Sequence, residues 1–193
     1  EVVVGRLSGD KPWYIEAKIL NSDTGYLRIA SFVTLVRYYA RPELKKFQRA
    51  KIKNLVIDLR DNEGLETNSA FQFLNFFSPK WGEPVYERWG RGGKFFEAKY
   101  ADGKGDFRNF KIAVLVNSKT ASAAELAAGV LQRWGAVVVG VDTARKSSVQ
   151  GVLVTEEGGI FSFTTSRYHL SRNDNLEEVG IMPDIIEHDP SRQ

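Results

Sequence analysis

Cysteine is absent from the 193 residues, which excludes disulfides, thiolate nucleophiles and cysteine-bound metal. Histidine is nearly absent: only His169 and His188 occur. A Ser-His-Asp hydrolase needs a histidine base, and zinc sites lean on histidine when cysteine is missing. No His-x-x-x-His pair exists. His169 closes a strand pattern and His188 sits in the tail Glu187-His188-Asp189-Pro190, so both read as structural or surface residues. No apolar run approaches the roughly 18 residues that a membrane helix needs, so no membrane insertion is expected. Neither sign of charge dominates, with 27 basic residues against 24 acidic. No basic tract interleaved with aromatics occurs, which argues against nucleic acid as a partner. Repeats and low-complexity tracts are missing too. The chain opens Glu1-Val-Val-Val-Gly5, with no initiator methionine and no Arg/Lys-led apolar leader, and reads as a processed protein or an excised fragment.

What remains is ordinary globular material, 42% hydrophobic and 26% charged, enough for one substantial domain. Residues 2–20 read as short β segments broken at Gly9-Asp10-Lys11-Pro12, followed by a turn at Asp23-Thr24-Gly25 and an alternating strand over 26–30. Residues 34–50 read as a helix with Leu35, Tyr38, Tyr39, Leu44 and Phe47 as its apolar members. Pro42 either sits near its first turn or breaks it. A strand over 54–58 leads through the polar loop 60–66 to an apolar helix over 67–77. A hairpin over 84–100 turns at Gly90-Arg-Gly-Gly93, which lacks the following helix of a phosphate loop. The strand 112–116, the helix 122–134 and the strand 137–139 come next, then two antiparallel strands, 152–154 and 160–165. The series strand, helix, strand, helix, strand implies an α/β domain with a mainly parallel sheet and right-handed crossovers. Sites in such sheets gather in loops at the carboxyl ends of the strands, where Gly64 and Ser122 both fall.

The chemistry concentrates in residues 117–150. Ser122 opens an alanine-rich helix, and Lys146 and Gln150 lie in a loop beyond the next strand. A serine hydroxyl needs a base to take its proton, and a lysine serves when burial or nearby positive charge favours its neutral amine. The helix N-terminus adds unpaired N–H groups suited to an oxyanion. Ser122-Ala-Ala-Glu125 also fits a capping box, a purely structural alternative. Asp58, Asp61, Glu63 and Glu66 crowd one loop, but Asp58 has Arg60 two residues away as an ion-pair partner, so no metal is assigned.

Several stretches in order, Gly25-Tyr-Leu-Arg-Ile-Ala-Ser-Phe32, Ile57-Asp-Leu-Arg-Asp-Asn-Glu-Gly64, Val116-Asn-Ser-Lys-Thr-Ala-Ser-Ala-Ala-Glu125, Lys146-Ser-Ser-Val-Gln150, Thr164-Thr-Ser-Arg-Tyr168 and Gly180-Ile-Met-Pro-Asp184, resemble the C-terminal processing peptidases (tail-specific proteases). The resemblance implies a ClpP/crotonase-like core with a mainly parallel sheet and flanking helices, plus short N-terminal β segments. It divides the chain into N-terminal segments 1–24, a peptidase core 25–188 and a tail 189–193. It implies Ser122 as nucleophile, Lys146 as general base, Gln150 orienting the lysine amine, and the N–H groups of Gly64 and Ala123 as oxyanion hole. No metal or cofactor is implied. Partners are protein or peptide substrates, with room for a homo-oligomer, and the location is periplasmic or otherwise extracytoplasmic. The loop Asn62-Glu63-Gly64-Leu65 lacks the family's proline and second glycine, and Arg145 and Ser147 flank the lysine where glycines are usual. Leucine enters a left-handed backbone less cheaply than glycine, so a changed loop shape is expected. Two alternatives stay open: a catalytically inactive ligand-binding or scaffold domain, and a crotonase-like enzyme acting on acyl-thioesters.

Overall fold

The computed structural model describes residues 12–170 and 176–187. Two sheets organise them. The larger has six strands: β1 (Ile15–Ile19), β2 (Thr24–Ile29), β3 (Asn54–Asp58), β6 (Lys111–Val116), β7 (Val137–Gly140) and β10 (Ile185–Ile186), adjacent in that order. Every pairing is parallel except β1 with β2. The smaller is antiparallel, with β4 (Trp81–Gly90), β5 (Phe95–Asp102), β8 (Ser148–Val154) and β9 (Ile160–His169) in the order β5-β4-β9-β8. Four helices accompany them: α1 (Val36–Arg49), α2 (Thr67–Leu74), α3 (Ala123–Arg133) and the single turn α4 (Leu176–Val179).

Period-2 alternation puts Gly25, Leu27 and Ile29 of β2 inside and leaves Thr24, Tyr26 and Arg28 partly exposed. α3 is buried from Ala123 to Leu131. Small side chains make that possible: a Cβ on Gly129 would lie 2.4 Å from Leu170 Cδ1 and 2.7 Å from Ile181 Cδ1. The buried stripe of α1 is Val36, Ala40, Leu44 and Phe47, whereas Leu35 and Tyr38 are exposed. The apolar face expected from sequence is therefore out of phase in its first turn. Spacings of four, four and three residues keep a continuous stripe, and the two larger side chains fall outside it. Pro42 lies inside α1 on its exposed side and does not break it.

α2 stops at Leu74, three residues short of expectation. The chain tightens there to i→i−3 bonds, Phe76 N–H to Phe73 O and Phe77 N–H to Leu74 O, while Phe76 and Phe77 stay buried against Phe73 and Phe107. The hairpin expected over 84–100 is β4–β5, turning through a short 3-10 segment at Arg91–Gly93. The strands expected over 152–154 and 160–165 are longer. β8 starts at Ser148, so Gln150 belongs to a strand and not to a loop.

Candidate active site

Three loops at the carboxyl ends of β2, β3 and β6 are stitched together by polar side chains that water does not reach. Asn62, fully buried, donates from Nδ2 to Ile29 O at 2.8 Å and accepts the Gly64 N–H on Oδ1 at 2.8 Å. Its own carbonyl takes the Ala121 N–H at 2.9 Å. Thr120 Oγ1 donates to Leu59 O at 2.8 Å and accepts the Asn117 N–H at 3.0 Å. The buried Asn62 and Thr120 side chains thus both find partners, as burial requires. The result is a rigid turn from β6 into α3.

Ser122 sits at the apex of that turn with φ 54 and ψ −121. A non-glycine residue there carries strain of about 1–3 kcal/mol and persists only where its surroundings dictate it. Gly64 presses on the same turn. At φ 93, its missing Cβ would lie 2.7 Å from both Ala121 O and Ala123 N, so no larger residue fits.

Lys146 arrives on the loop between β7 and β8. Two buried groups tie its backbone to that of Ser122. Glu125 Oε2 accepts the Ser122 N–H at 2.9 Å and the Lys146 N–H at 2.8 Å. Its Oε1 accepts Thr143 Oγ1–H at 2.5 Å and the Arg145 N–H at 2.8 Å. On the carbonyl side, Tyr168 Oη bonds Ser122 O at 2.6 Å and Lys146 O at 3.0 Å. Both Glu125 and Tyr168 are 0% exposed. The capping-box glutamate thus reaches well beyond its helix.

Ser122, Lys146, Gln150 and Gly64 all line one cavity of about 550 Å³, with Trp13 and Leu65 also in its wall. Ala123 N–H, at the start of α3, donates to no acceptor among the described residues. The side chains themselves are less closely joined than their backbones. Lys146 is exposed, and among the described residues no hydrogen bond links its Nζ to Ser122 Oγ. The expected bond from Gln150 to the lysine amine is not made either. A register shift between Val149 and Gln150 places the glutamine on β8, where its Nε2 donates to Ser148 Oγ at 3.2 Å and Thr164 Oγ1 at 3.1 Å. The Gly64 N–H, expected in the oxyanion hole, is taken by Asn62 in an Asx turn.

Of the three positions where glycine is replaced, Leu65 and Arg145 keep a positive φ and Ser147 does not. Leu65 has φ 115 and Arg145 φ 65. Hydrogen bonds from neighbouring loops hold both torsions. Arg145 N–H is bound by Glu125, and Leu65 is bracketed by Phe32 N–H to Gly64 O and Glu66 N–H to Phe32 O.

Behind the loop 62–65, Asp58 is 1% exposed and receives Tyr26 Oη–H at 2.7 Å, Arg60 Nη2 at 2.7 Å, Arg60 Nε at 3.0 Å and the Arg60 N–H at 3.0 Å. Burial alone pushes the Asp58 carboxyl up. The hydrogen bonds from Arg60 and Tyr26, with the Arg60 charge, outweigh it and hold the group below the usual carboxylate range. Burial, then the bond and charge of Asp58, push Tyr26 up to about 12. Asp58 is thus a partner of Arg60, and among the described residues no group of three or more candidate ligands could hold a metal. His169 ends β9, away from the cavity wall, and His188 lies outside the described residues.

Tyr168, Asn62, Thr143 and the reach of Glu125 escaped the sequence reading. The serine–glutamate capping pattern was visible at Glu125, but nothing local marks Tyr168 as a neighbour of residues 22 and 46 positions earlier.

Residues 23–187 match the sequence pattern of Peptidase family S41. A carboxy-terminal-processing protease of Bartonella bacilliformis is 33% identical over 89% of this chain and 40% of its own length. Carboxyl-terminal-processing peptidase 2, chloroplastic, of Arabidopsis thaliana is 30% identical over 83% of this chain and 31% of its own. Among solved structures, the photosystem II D1 C-terminal processing protease superposes with a TM-score of 0.76 at 24% identity, over 87% of this chain and 43% of that one. The chain therefore spans less than half the length of these relatives.

Proposed function

Because this chain belongs to peptidase family S41, we propose that it is the catalytic core of a serine endopeptidase acting on extended or C-terminal segments of proteins. Ser122 Oγ attacks the scissile carbonyl carbon and its proton passes to the neutral amine of Lys146. Lys146 returns that proton to the leaving amine as the C–N bond breaks. Water, deprotonated in the same way, then hydrolyses the acyl-enzyme ester and restores Ser122. Ala123 N–H, free and at the positive end of α3, receives the oxyanion. Gly64 N–H joins it when its bond to Asn62 Oδ1 opens or is shared. Substrate lying over the cavity displaces water from Lys146 and brings its amine to the serine, with Gln150 Oε1 as an acceptor to orient it. β8 is the outer strand of its sheet, so an extended substrate could add to that open edge. An extracytoplasmic location belongs to the same proposal; no described helix is long and apolar enough to cross a membrane.

The observation that carries this reading is the double clamp, Glu125 on the N–H groups and Tyr168 on the carbonyls of Ser122 and Lys146. The clamp explains why a strained serine and an exposed lysine from different loops share one cavity. A scaffold without catalysis is the second reading, favoured by the occupied Gly64 N–H and the absent Ser122–Lys146 bond. Cleavage of an unfolded protein decides between them. The wild type should cut it, and Ser122→Ala and Lys146→Arg should not, since arginine stays protonated. Equal rates for wild type and Ser122→Ala would leave only the scaffold, and full activity in Lys146→Arg would move the base elsewhere.

A further inference from the structure

Among the described residues five non-glycine residues have positive φ, and Leu65 has the widest torsion of them. Lys51, Asp61, Ser122 and Arg145 lie between φ 54 and φ 65, with Ser122, at ψ −121, strained within the turn already described; Leu65 alone lies at φ 115, a region that is almost glycine-only. The neighbours impose that torsion. Phe32 N–H donates to Gly64 O at 2.8 Å, Glu66 N–H donates to Phe32 O at 3.0 Å, and Ser31 Oγ also donates to Gly64 O at 3.2 Å. These bonds are all to the backbone, so a glycine would make the same turn without strain.

The leucine side chain takes no part in the buried core. It is 67% exposed and belongs to no buried cluster. A lone exposed leucine in a relaxed backbone would need no explanation, but one held in a strained conformation does. What the side chain does meet is the cavity, whose wall it shares with Ser122, Lys146 and the 72% exposed Trp13. Strain retained at a cavity rim without folding benefit is the pattern of a residue kept for ligand contact.

We propose that Leu65 determines substrate specificity, forming with Trp13 an apolar lip that receives an apolar side chain of the bound segment close to the scissile bond. This rests on the peptidase reading for its substrate class, but the contact itself is tested by binding alone. Two fluorescein-labelled unfolded peptides serve as probes, one with leucine residues along its length and one with serine in their place. Anisotropy titrations use the Ser122→Ala protein, with and without Leu65→Gly or Leu65→Asn. Asparagine keeps a Cβ and comparable side-chain bulk at the same torsion while losing the apolar surface, so it separates apolar contact from loop flexibility.

The protein with Leu65 should prefer the leucine peptide, and both substitutions should reduce that preference about tenfold, the scale of a lost apolar contact in a pocket. Leu65→Gly should also melt at the same temperature or higher, because strain is relieved. An unchanged preference in both variants overturns the proposal, as does failure of either peptide to bind at all. A lower melting temperature in Leu65→Gly would mark the side chain as structural and overturn it too. Absence of cleavage by the wild type would count against the peptidase reading, while the binding ratios would still judge Leu65.

Discussion

The two halves of the cavity are built in opposite ways. The half that presents Ser122 grows from the parallel sheet. Its loops are crossed by Asn62, Thr120 and Glu125, each at 0% exposure and each bonded to backbone of another loop. The half that presents Gln150 grows from the outer strand of the antiparallel sheet. Its hairpin leaves Val152, Leu153, Val154, Ile160, Phe161 and Phe163 all at least half exposed. Lys146 stands at the junction, with its backbone held by the rigid half and its side chain free in the open one. On the proposed mechanism the attacking oxygen gains from being fixed before substrate arrives, since misplacement of about 1 Å is costly. The other wall gains from being completed by what binds it, because an open edge strand and uncovered apolar side chains can pair with an extended chain.

Breaking the junction should have the largest effect. Glu125→Ala removes the acceptor of four hydrogen bonds and leaves the N–H groups of Ser122, Arg145 and Lys146 and the Thr143 hydroxyl without it. We expect a stability loss of about 3 kcal/mol or more in a denaturant titration and a fall in kcat of about a hundredfold. A variant with normal kcat would mean that the two halves find each other without the clamp.

The rigid half can be probed through its deepest ion pair. Asp58→Asn should cost about 2–3 kcal/mol near neutral pH, less than for a fully buried pair because Arg60 is 40% exposed. The sign with pH follows from the lowered native pKa of Asp58. Its contribution is fully present above the ordinary carboxylate value of 3.8 and disappears as pH falls through the lower native value. Thermal melts of wild type and variant should therefore converge in acid, and a gap that widens there would contradict the assignment.

The smallest effect should come at the lysine loop. Arg145→Gly relieves φ 65 and gives up a half-exposed side chain with a 3.7 Å ion pair to Asp142. We expect stabilisation of about 0.5–1 kcal/mol by calorimetry. Destabilisation would show that the arginine side chain holds the loop where the backbone alone does not.

Much of this was legible locally. β2, β3 and β6 announced themselves by alternation or short apolar runs, and α3 by its alanines and capping box, because each pattern is completed within a few residues. The first turn of α1 was misphased because Leu35 and Tyr38 are apolar but unburied. α2 was read too long because Phe76 and Phe77 stay in the core after the helix has ended. Gln150 was placed in a loop because the ladder that makes it a strand comes from Thr164 and its neighbours on β9. Of the candidate site, the residue types and their order along the chain could be read, and the bonds between them could not.

Sequence alone determined the β-α-β order, the absence of a cysteine nucleophile, and the placing of a serine at a helix start upstream of a lysine, all properties of neighbouring residues. Tertiary structure decided that one carboxylate and one phenol would span Ser122 and Lys146, that Asn62 would occupy the Gly64 N–H, and that Leu65 would be bent into a glycine's backbone. Those outcomes depend on atoms distant in the chain competing for the same donors and acceptors, and such competition is resolved only when the loops are brought together.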